Sequence, residues 1–141
     1  AQADTRIHID LRCRDIRSKE VLCLYEDEDI QVAVEKFKQV NLTSLPVLNR
    51  AEHVCGTLAL YEVVEWFQKA TDLRTSWQDQ VKHIMKRQVV TVQPDQELQD
   101  LIPYFVERSF NYIPVVDNKA LVGIISRADM IAALYRLLQH R

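Results

Sequence analysis

With 141 residues, 48% of them hydrophobic and 27% charged, the chain has an ordinary soluble globular balance, long enough for one domain or two small halves sharing a core. A formal net charge of −2 supplies no basic field of the kind that draws nucleic acid, the apolar runs are far shorter than a membrane span, and no signal-peptide pattern opens the sequence. Cys13, Cys23 and Cys55, an odd number without CxxC spacing, argue against a disulfide framework and for a reducing, cytoplasmic setting. Numbering from Ala1 rather than Met raises the expectation of a piece of a longer protein.

Ala1 to Leu11 is polar and unpatterned, an entry segment, and Cys13 to Arg17 reads as one helical turn with Ile16 as its apolar contact. Val21 to Leu24 is a short apolar strand closed by Glu26-Asp27-Glu28-Asp29. Carboxylates in that run charge the start of the next helix favourably; a metal site there would need a second acidic cluster, and none is apparent. Ile30, Ala33, Val34 and Phe37 fall at i, i+3, i+4 and i+7, the core-facing stripe of a helix that stops near Asn41. Ser44 to Leu48 and Val54 to Ala59 are strands around a turn at Asn49 to Glu52. Pro46 cannot donate to a ladder and is expected at the beginning of its strand or on an edge. Glu62 to Lys69 is a helix with Val63, Val64, Trp66 and Phe67 available for burial, and Ala70 to Ser76 a polar connection.

From Val81 the same order returns. An offset of 68 aligns Ile16 with Ile84, Asp27 with Asp95, Phe37 with Phe105 and Pro46 with Pro114; one residue is lost in the hairpin turn, and Gly56 then aligns with Gly123 at 67. Val89 to Val92 answers the first strand, Leu98, Leu101, Ile102, Phe105 and Val106 make the second helix stripe, and Tyr112 to Val116 answers Ser44 to Leu48. The chain is a tandem duplication. Pro103 troubles the second stripe, so a kink or a later helix start is expected.

The copy ends in a strand, Leu121 to Ile125, running into a helix that Ser126 opens, with Asp129 three residues later as in a capping box. A helix start presents unpaired N–H groups and a positive dipole end to an anion such as phosphate, and Asp129 can accept hydrogen bonds from a hydroxyl pair such as a ribose. Capping alone is the other reading of the same two residues.

A β-α-β-β-α unit used twice, with Ile113-Pro114-Val115-Val116-Asp117 and then Gly123-Ile124-Ile125-Ser126-Arg127-Ala128-Asp129, resembles a tandem pair of cystathionine-β-synthase-type (CBS) domains, a Bateman module. The resemblance covers roughly Leu11 to Leu138. It implies an α/β (α+β) fold of two repeats, 11–69 with a degenerate motif and 79–139 with the full one, packed around a pseudo-twofold axis. It further implies two clefts that take AMP, ADP, ATP or S-adenosylmethionine as regulatory ligands, with no obligatory cofactor. Carried onto this sequence, Asp129 takes the ribose, Ser126 and Arg127 meet phosphate, Ile124 lines the pocket, and Cys23, Leu42 and Thr43 come from the other copy. Arg127 also suits phosphate oxygens on its own chemistry. In the first copy Ala59, Leu60 and Glu62 replace Ser126, Arg127 and Asp129, so the second cleft, with Glu62, Thr91, Phe110 and Asn111, is expected to be weak or vacant.

His53 and Cys55 share a strand face, but two ligands do not make a zinc site. With Gly56 and Gly123 as its two glycines the chain holds neither a phosphate loop nor a dinucleotide fingerprint, and no nucleophile elbow is present, so no enzyme activity is expected. Trp66, Phe67 and Trp77 suit packing better than base stacking. The expected function is nucleotide sensing in the cytoplasm, where the chain is free or the cytoplasmic part of a membrane protein, passed to a fused enzyme, channel or transporter. The alternative is a ligand-free scaffold whose apolar helices make a disc-like homodimer.

Overall fold

The computed structural model describes residues 8–18, 21–72 and 76–139. The start of the expected entry segment, part of the 70–76 connection, and His140 lie outside the described residues. The first repeat runs α1 (Cys13–Ile16), β1 (Leu24–Tyr25), α2 (Ile30–Phe37), β2 (Ser44–Leu48), β3 (Val54–Ala59) and α3 (Leu60–Lys69). The second opens with a 3₁₀ turn at Val81–His83. A further 3₁₀ turn, Leu98–Leu101, leads into α4 (Ile102–Val106), followed by β4 (Tyr112–Asp117), β5 (Ala120–Ser126) and α5 (Arg127–Gln139). The architecture is mixed α and β, two small sheets with helices, as the repeat predicts.

In the first sheet β1 runs parallel to β2, and β2 antiparallel to β3; in the second, β4 and β5 are antiparallel. The register slips between Val47 and Leu48 and again between Val115 and Val116, the same place in each copy at the offset of 68. The leading strands are shorter than their apolar runs suggest. In the first repeat it is Leu24–Tyr25, and in the second it shrinks to one parallel bridge from Val92 to Val115.

Pro46 departs from expectation: it is the third residue of the central strand. Two neighbours make this harmless. Opposite it, Thr57 directs its backbone bonds outward to Lys86, and β1 begins its pairing only at Val47, so the missing N–H costs no ladder bond. Pro103 resolves the way its chemistry requires. The stripe begins as 3₁₀ and the α-helix starts at Ile102, so Pro103 falls in the first turn, where its N–H is not needed.

Two cores form, and each borrows from the other repeat. Leu24, Ala33, Phe37, Leu45, Val47 and Leu58 close around Val81 and Met85 of the second copy. Val92, Leu98, Leu101, Ile113, Val115, Ile125, Met130 and Ala133 close around Ile9 and Cys13 of the first. Cys13 and Val81 are fully buried, and burial of such side chains stabilises by roughly 1.5–3 kcal/mol each. The opening turns are thereby exchanged, which ties the halves together. Burial, and Asp100 nearby, push the Cys13 thiol up to about 11, so it is an inert packing group.

The exchange explains both glycines. Ser18, just past α1, pairs with Ile124 along the edge of β5 (N···O 2.9 and 3.1 Å); Lys86, just past the Val81 turn, pairs with Thr57 along the edge of β3 (2.9 and 2.9 Å). A Cβ on Gly123 would stand 2.7 Å from the Ser18 carbonyl oxygen, and one on Gly56 2.5 Å from that of Lys86. Only a residue without a side chain lets these edges close.

Trp66 is buried, donates to Asp79 (3.2 Å) and packs on Trp77 with ring centroids 5.2 Å apart, so both tryptophans serve packing. Apolar surface remains on the two closing helices. Leu60, Val64 and Phe67 on α3, and Ile131, Leu134, Tyr135 and Leu138 on α5, are all at least 40% exposed and follow helical spacing.

Candidate ligand-binding clefts

The turn from β5 into α5 is a complete capping box. Asp129 accepts the Ser126 N–H (2.8 Å) and the Ser126 hydroxyl (3.0 Å) at Oδ2, while Ser126 Oγ accepts the Asp129 N–H (3.2 Å). A third donor arrives from the other repeat: the Ser18 hydroxyl straddles both carboxylate oxygens, at 3.2 and 3.3 Å. Asp129 therefore faces the seam between the repeats and is half-buried there. Ile124 is buried beneath it, holding Ser18 through the bridge already described.

Arg127 lies at the same turn, but its Nε donates to the Phe110 carbonyl (2.9 Å) and its N–H to the Asn111 carbonyl (3.1 Å). Thr43 joins across the seam, its hydroxyl receiving the Asn111 amide. The two are equivalent positions of the two copies, so the pair sits on the pseudo-twofold axis. Leu42 packs instead on the first repeat's core, and the Cys23 carbonyl accepts from Lys36 (3.0 Å); the Cys23 thiol is raised by burial. Ser126, Asp129, Ile124, Arg127 and Thr43 are thus gathered at the seam, while Cys23 and Leu42 are held by their own repeat.

The first copy builds the corresponding turn with less. Glu62 accepts the Ala59 N–H (2.8 Å), but the Ala59 methyl returns nothing, so half the box is missing. Burial raises the Glu62 pKa, opposed by the Ala59 N–H and Lys86. Lys86 stands where Ser18 stands in the other cleft, its ammonium 5.0 Å from the Tyr61 ring centroid. The Tyr61 hydroxyl nearby raises the Lys86 pKa.

Around this turn lies a cavity of about 620 Å³, walled by Thr57, Tyr61 and Lys86 on one side and Val89, Val90, Phe110 and Asn111 on the other. That size is typical of small-molecule sites. Phe110 and Asn111 fall where expected. Glu62 does not wall the cavity, Tyr61 doing so from the same turn, and Thr91 lines a separate cavity of about 360 Å³ with His53 and Asn118. For Thr91 the reason lies at the bridge. Val92 pairs beside β4 with its side chain buried while its neighbour Thr91 is exposed, and Val89 and Val90, which precede the bridge and belong to no strand, line the cleft instead.

Three residues here escape a motif reading. Ser18 and Lys86 sit at equivalent positions outside the motif, and extending the offset of 68 beyond Ile16 and Ile84 would have paired them. Tyr112 is the third. It is buried and shares a 3.0 Å hydrogen bond with Thr57, whose own hydroxyl donates to the Leu45 carbonyl (3.3 Å). Burial lifts the Tyr112 phenol to about 12, keeping it a neutral donor. Among the described residues no group of three or more His, Cys, Asp or Glu could hold a metal ion, and no helix is long and apolar enough to cross a membrane.

The family model for the CBS domain matches residues 13–69 and again 81–136. The chain belongs to the CBS-domain family. Among curated relatives it is 24% identical to the uncharacterized protein MJ1426 of Methanocaldococcus jannaschii, over 86% of this chain and 89% of that one. It is 28% identical to the carnitine transport ATP-binding protein OpuCA of Listeria monocytogenes over 77% of this chain, but spans only 26% of that protein. Solved CBS structures share the fold at low identity. The putative acetoin utilization protein AcuB of Vibrio cholerae superposes with a TM-score of 0.81 at 17% identity, covering 92% and 93% of the two chains. CBSX2 in complex with AMP gives 0.76 at 20%, covering 89% and 97%. The CBS domain pair of MJ0100, in complex with 5′-methylthioadenosine and S-adenosyl-L-methionine, gives 0.73 at 19%, covering 90% and 98%.

Proposed function

We propose that this CBS pair is a regulatory module that binds an adenine nucleotide in the cleft holding Asp129 and passes the resulting shift of its repeats, taken as 11–69 and 79–139, to an attached domain or partner. The Asp129 carboxylate carries the reading. It stands at a helix start, faces the seam, and already accepts a neutral hydroxyl from the opposite repeat. The same acceptor chemistry suits the paired hydroxyls of a ribose, and the helix start beside it favours phosphate.

The relatives solved with AMP and with S-adenosyl-L-methionine support an adenosine-containing ligand, and the length of OpuCA beyond the matched part supports a transporter or enzyme domain as recipient. A ligand moves the repeats only by binding one arrangement more tightly than another. Because each core contains the other repeat's opening turn, such a shift is felt in both cores. The module works without catalysis or an obligatory cofactor, on the cytoplasmic side.

Calorimetry with AMP, ADP, ATP and S-adenosylmethionine tests this. Binding of at least one, weakened tenfold or more by Asp129→Ala, is expected; binding indifferent to that substitution sinks the site. A second reading rests on the exposed faces of α3 and α5: a homodimer that covers them, acting as a scaffold with no ligand. A dimer in sedimentation with no nucleotide binding would favour it.

A further inference from the structure

The 620 Å³ cavity is built from the copy whose motif is degenerate, yet it carries its own charge. Its lining holds two charged side chains, Lys86 and Arg108, and no carboxylate. Neither cation has an ion-pair partner among the described residues. Each lies instead against an aromatic ring: Lys86 is 5.0 Å from the Tyr61 centroid, and Arg108 is 5.1 Å from that of Phe110. Glu62, whose charge Lys86 feels, makes no ion pair with it and accepts the Ala59 N–H at the helix start. Lys86 is also well placed, since two 2.9 Å backbone bonds to Thr57 fix the root of its side chain on the cavity floor.

We propose that this second cleft selects its ligand by charge, taking a nucleoside di- or triphosphate with its phosphates on Lys86 and Arg108 and rejecting a sulfonium nucleoside. The inference rests on the reading that the clefts of this pair take adenine nucleosides. The Phe110 ring and the Val89 and Val90 side chains offer an apolar wall for a base, and Asn111 and Ser44 offer hydrogen bonds. Two unpaired cations around one cavity raise the local concentration of a polyanion and repel a ligand carrying a sulfonium and an ammonium. The lost Ser126-type hydroxyl is thereby replaced from another part of the chain: Lys86 occupies the place of Ser18, and Arg108 comes from the loop after α4.

The test is equilibrium binding of ATP, ADP, adenosine and S-adenosylmethionine to the full chain, to Lys86→Ala, Lys86→Glu and Arg108→Ala, and to each in an Asp129→Ala background that isolates this cleft. ATP should bind at least tenfold more tightly than S-adenosylmethionine in the isolated cleft. Lys86→Ala and Arg108→Ala should each weaken ATP about tenfold, adenosine should change less than about twofold, and Lys86→Glu should narrow or reverse the preference. Both cations are exposed, so melting temperatures near that of the parent would confirm intact folds. Equal affinity for ATP and S-adenosylmethionine, or ATP affinity untouched by all three variants, overturns the proposal. If that ATP binding is abolished by Asp129→Ala, the function proposed above survives alone. If no ligand binds the parent chain, both fall together.

Discussion

The turns at Asp129 and Glu62 occupy equivalent places in a duplicated chain, and they have been built by opposite means. At Asp129 the chain invests in neutral donors: Ser126 from the same turn and Ser18 from the opposite repeat both donate to one carboxylate, mostly at Oδ2, which leaves Oδ1 the freer oxygen. At Glu62 the capping hydroxyl is an alanine, the carboxylate makes a single backbone bond, and the residue standing in Ser18's place is a lysine. A motif that decays in one copy therefore does not leave an empty equivalent of the other site. It leaves the same backbone frame with a different electrostatic lining, because the frame depends on the edge bridge and the glycine, which both copies keep.

The sharpest way to break that shared frame is to give the glycines side chains. Gly56→Ala and Gly123→Ala should each destabilise by about 2–3 kcal/mol, since the added methyl meets a backbone carbonyl rather than the end of a flexible side chain. Thermal or denaturant unfolding reads this directly. Similar losses in both variants would show that the edge bridges support the two halves equally. A loss confined to one would mean that the pseudo-symmetry is geometric only.

The frame was legible in the sequence because it repeats. The stripe of Ile30, Ala33 and Phe37, the paired prolines and the two glycines locate both sheets and the cap before any coordinates. The exchange of opening turns was not legible. Cys13 and Val81 are apolar residues that open helical turns, and nothing in their spacing says which half they bury against. Nor did the motif show what each cleft contains. Lys86 and Ser18 are lone polar residues whose meaning comes only from the edge bridge that carries them, and Thr91 misses the expected cleft because the strand beside it is one bridge at Val92. That Pro46 can sit inside the central strand is not legible either, because the sequence does not show that β1 reaches only the far end of β2.

A smaller effect separates the two caps. Asp129→Ala removes the acceptor for the Ser126 and Ser18 donors and should cost about 1–2 kcal/mol, whereas Glu62→Ala gives up one backbone bond and should cost about 0.5–1 kcal/mol. The double change Ser126→Ala with Asp129→Ala should cost about 0.5–1 kcal/mol more than Asp129→Ala alone, because the Ser126 hydroxyl also accepts the backbone N–H of residue 129, which an alanine there keeps. Urea unfolding of the three variants checks the ranking; equal costs for Asp129→Ala and Glu62→Ala would remove the distinction drawn between the turns.

The smallest effect is in pH. Burial raises the Glu62 pKa in the folded chain, so folding favours its protonated form. The stabilisation this gives is complete below the unfolded value and is lost as pH rises through the folded one. Glu62→Gln keeps an acceptor for the Ala59 N–H but cannot ionise. Below the ordinary glutamate range the variant and the parent should therefore melt together; as pH climbs past the raised value, the parent should fall behind. Asp129→Asn makes the contrast, since there the loss of charge weakens bonds from Ser126 and Ser18 that a carboxylate accepts best, and the variant should be the less stable partner at neutral pH. A Glu62→Gln chain that melts below the parent at neutral pH would mean that Lys86 and the helix start outweigh burial at this turn, and that the first copy prefers the Glu62 carboxylate charged.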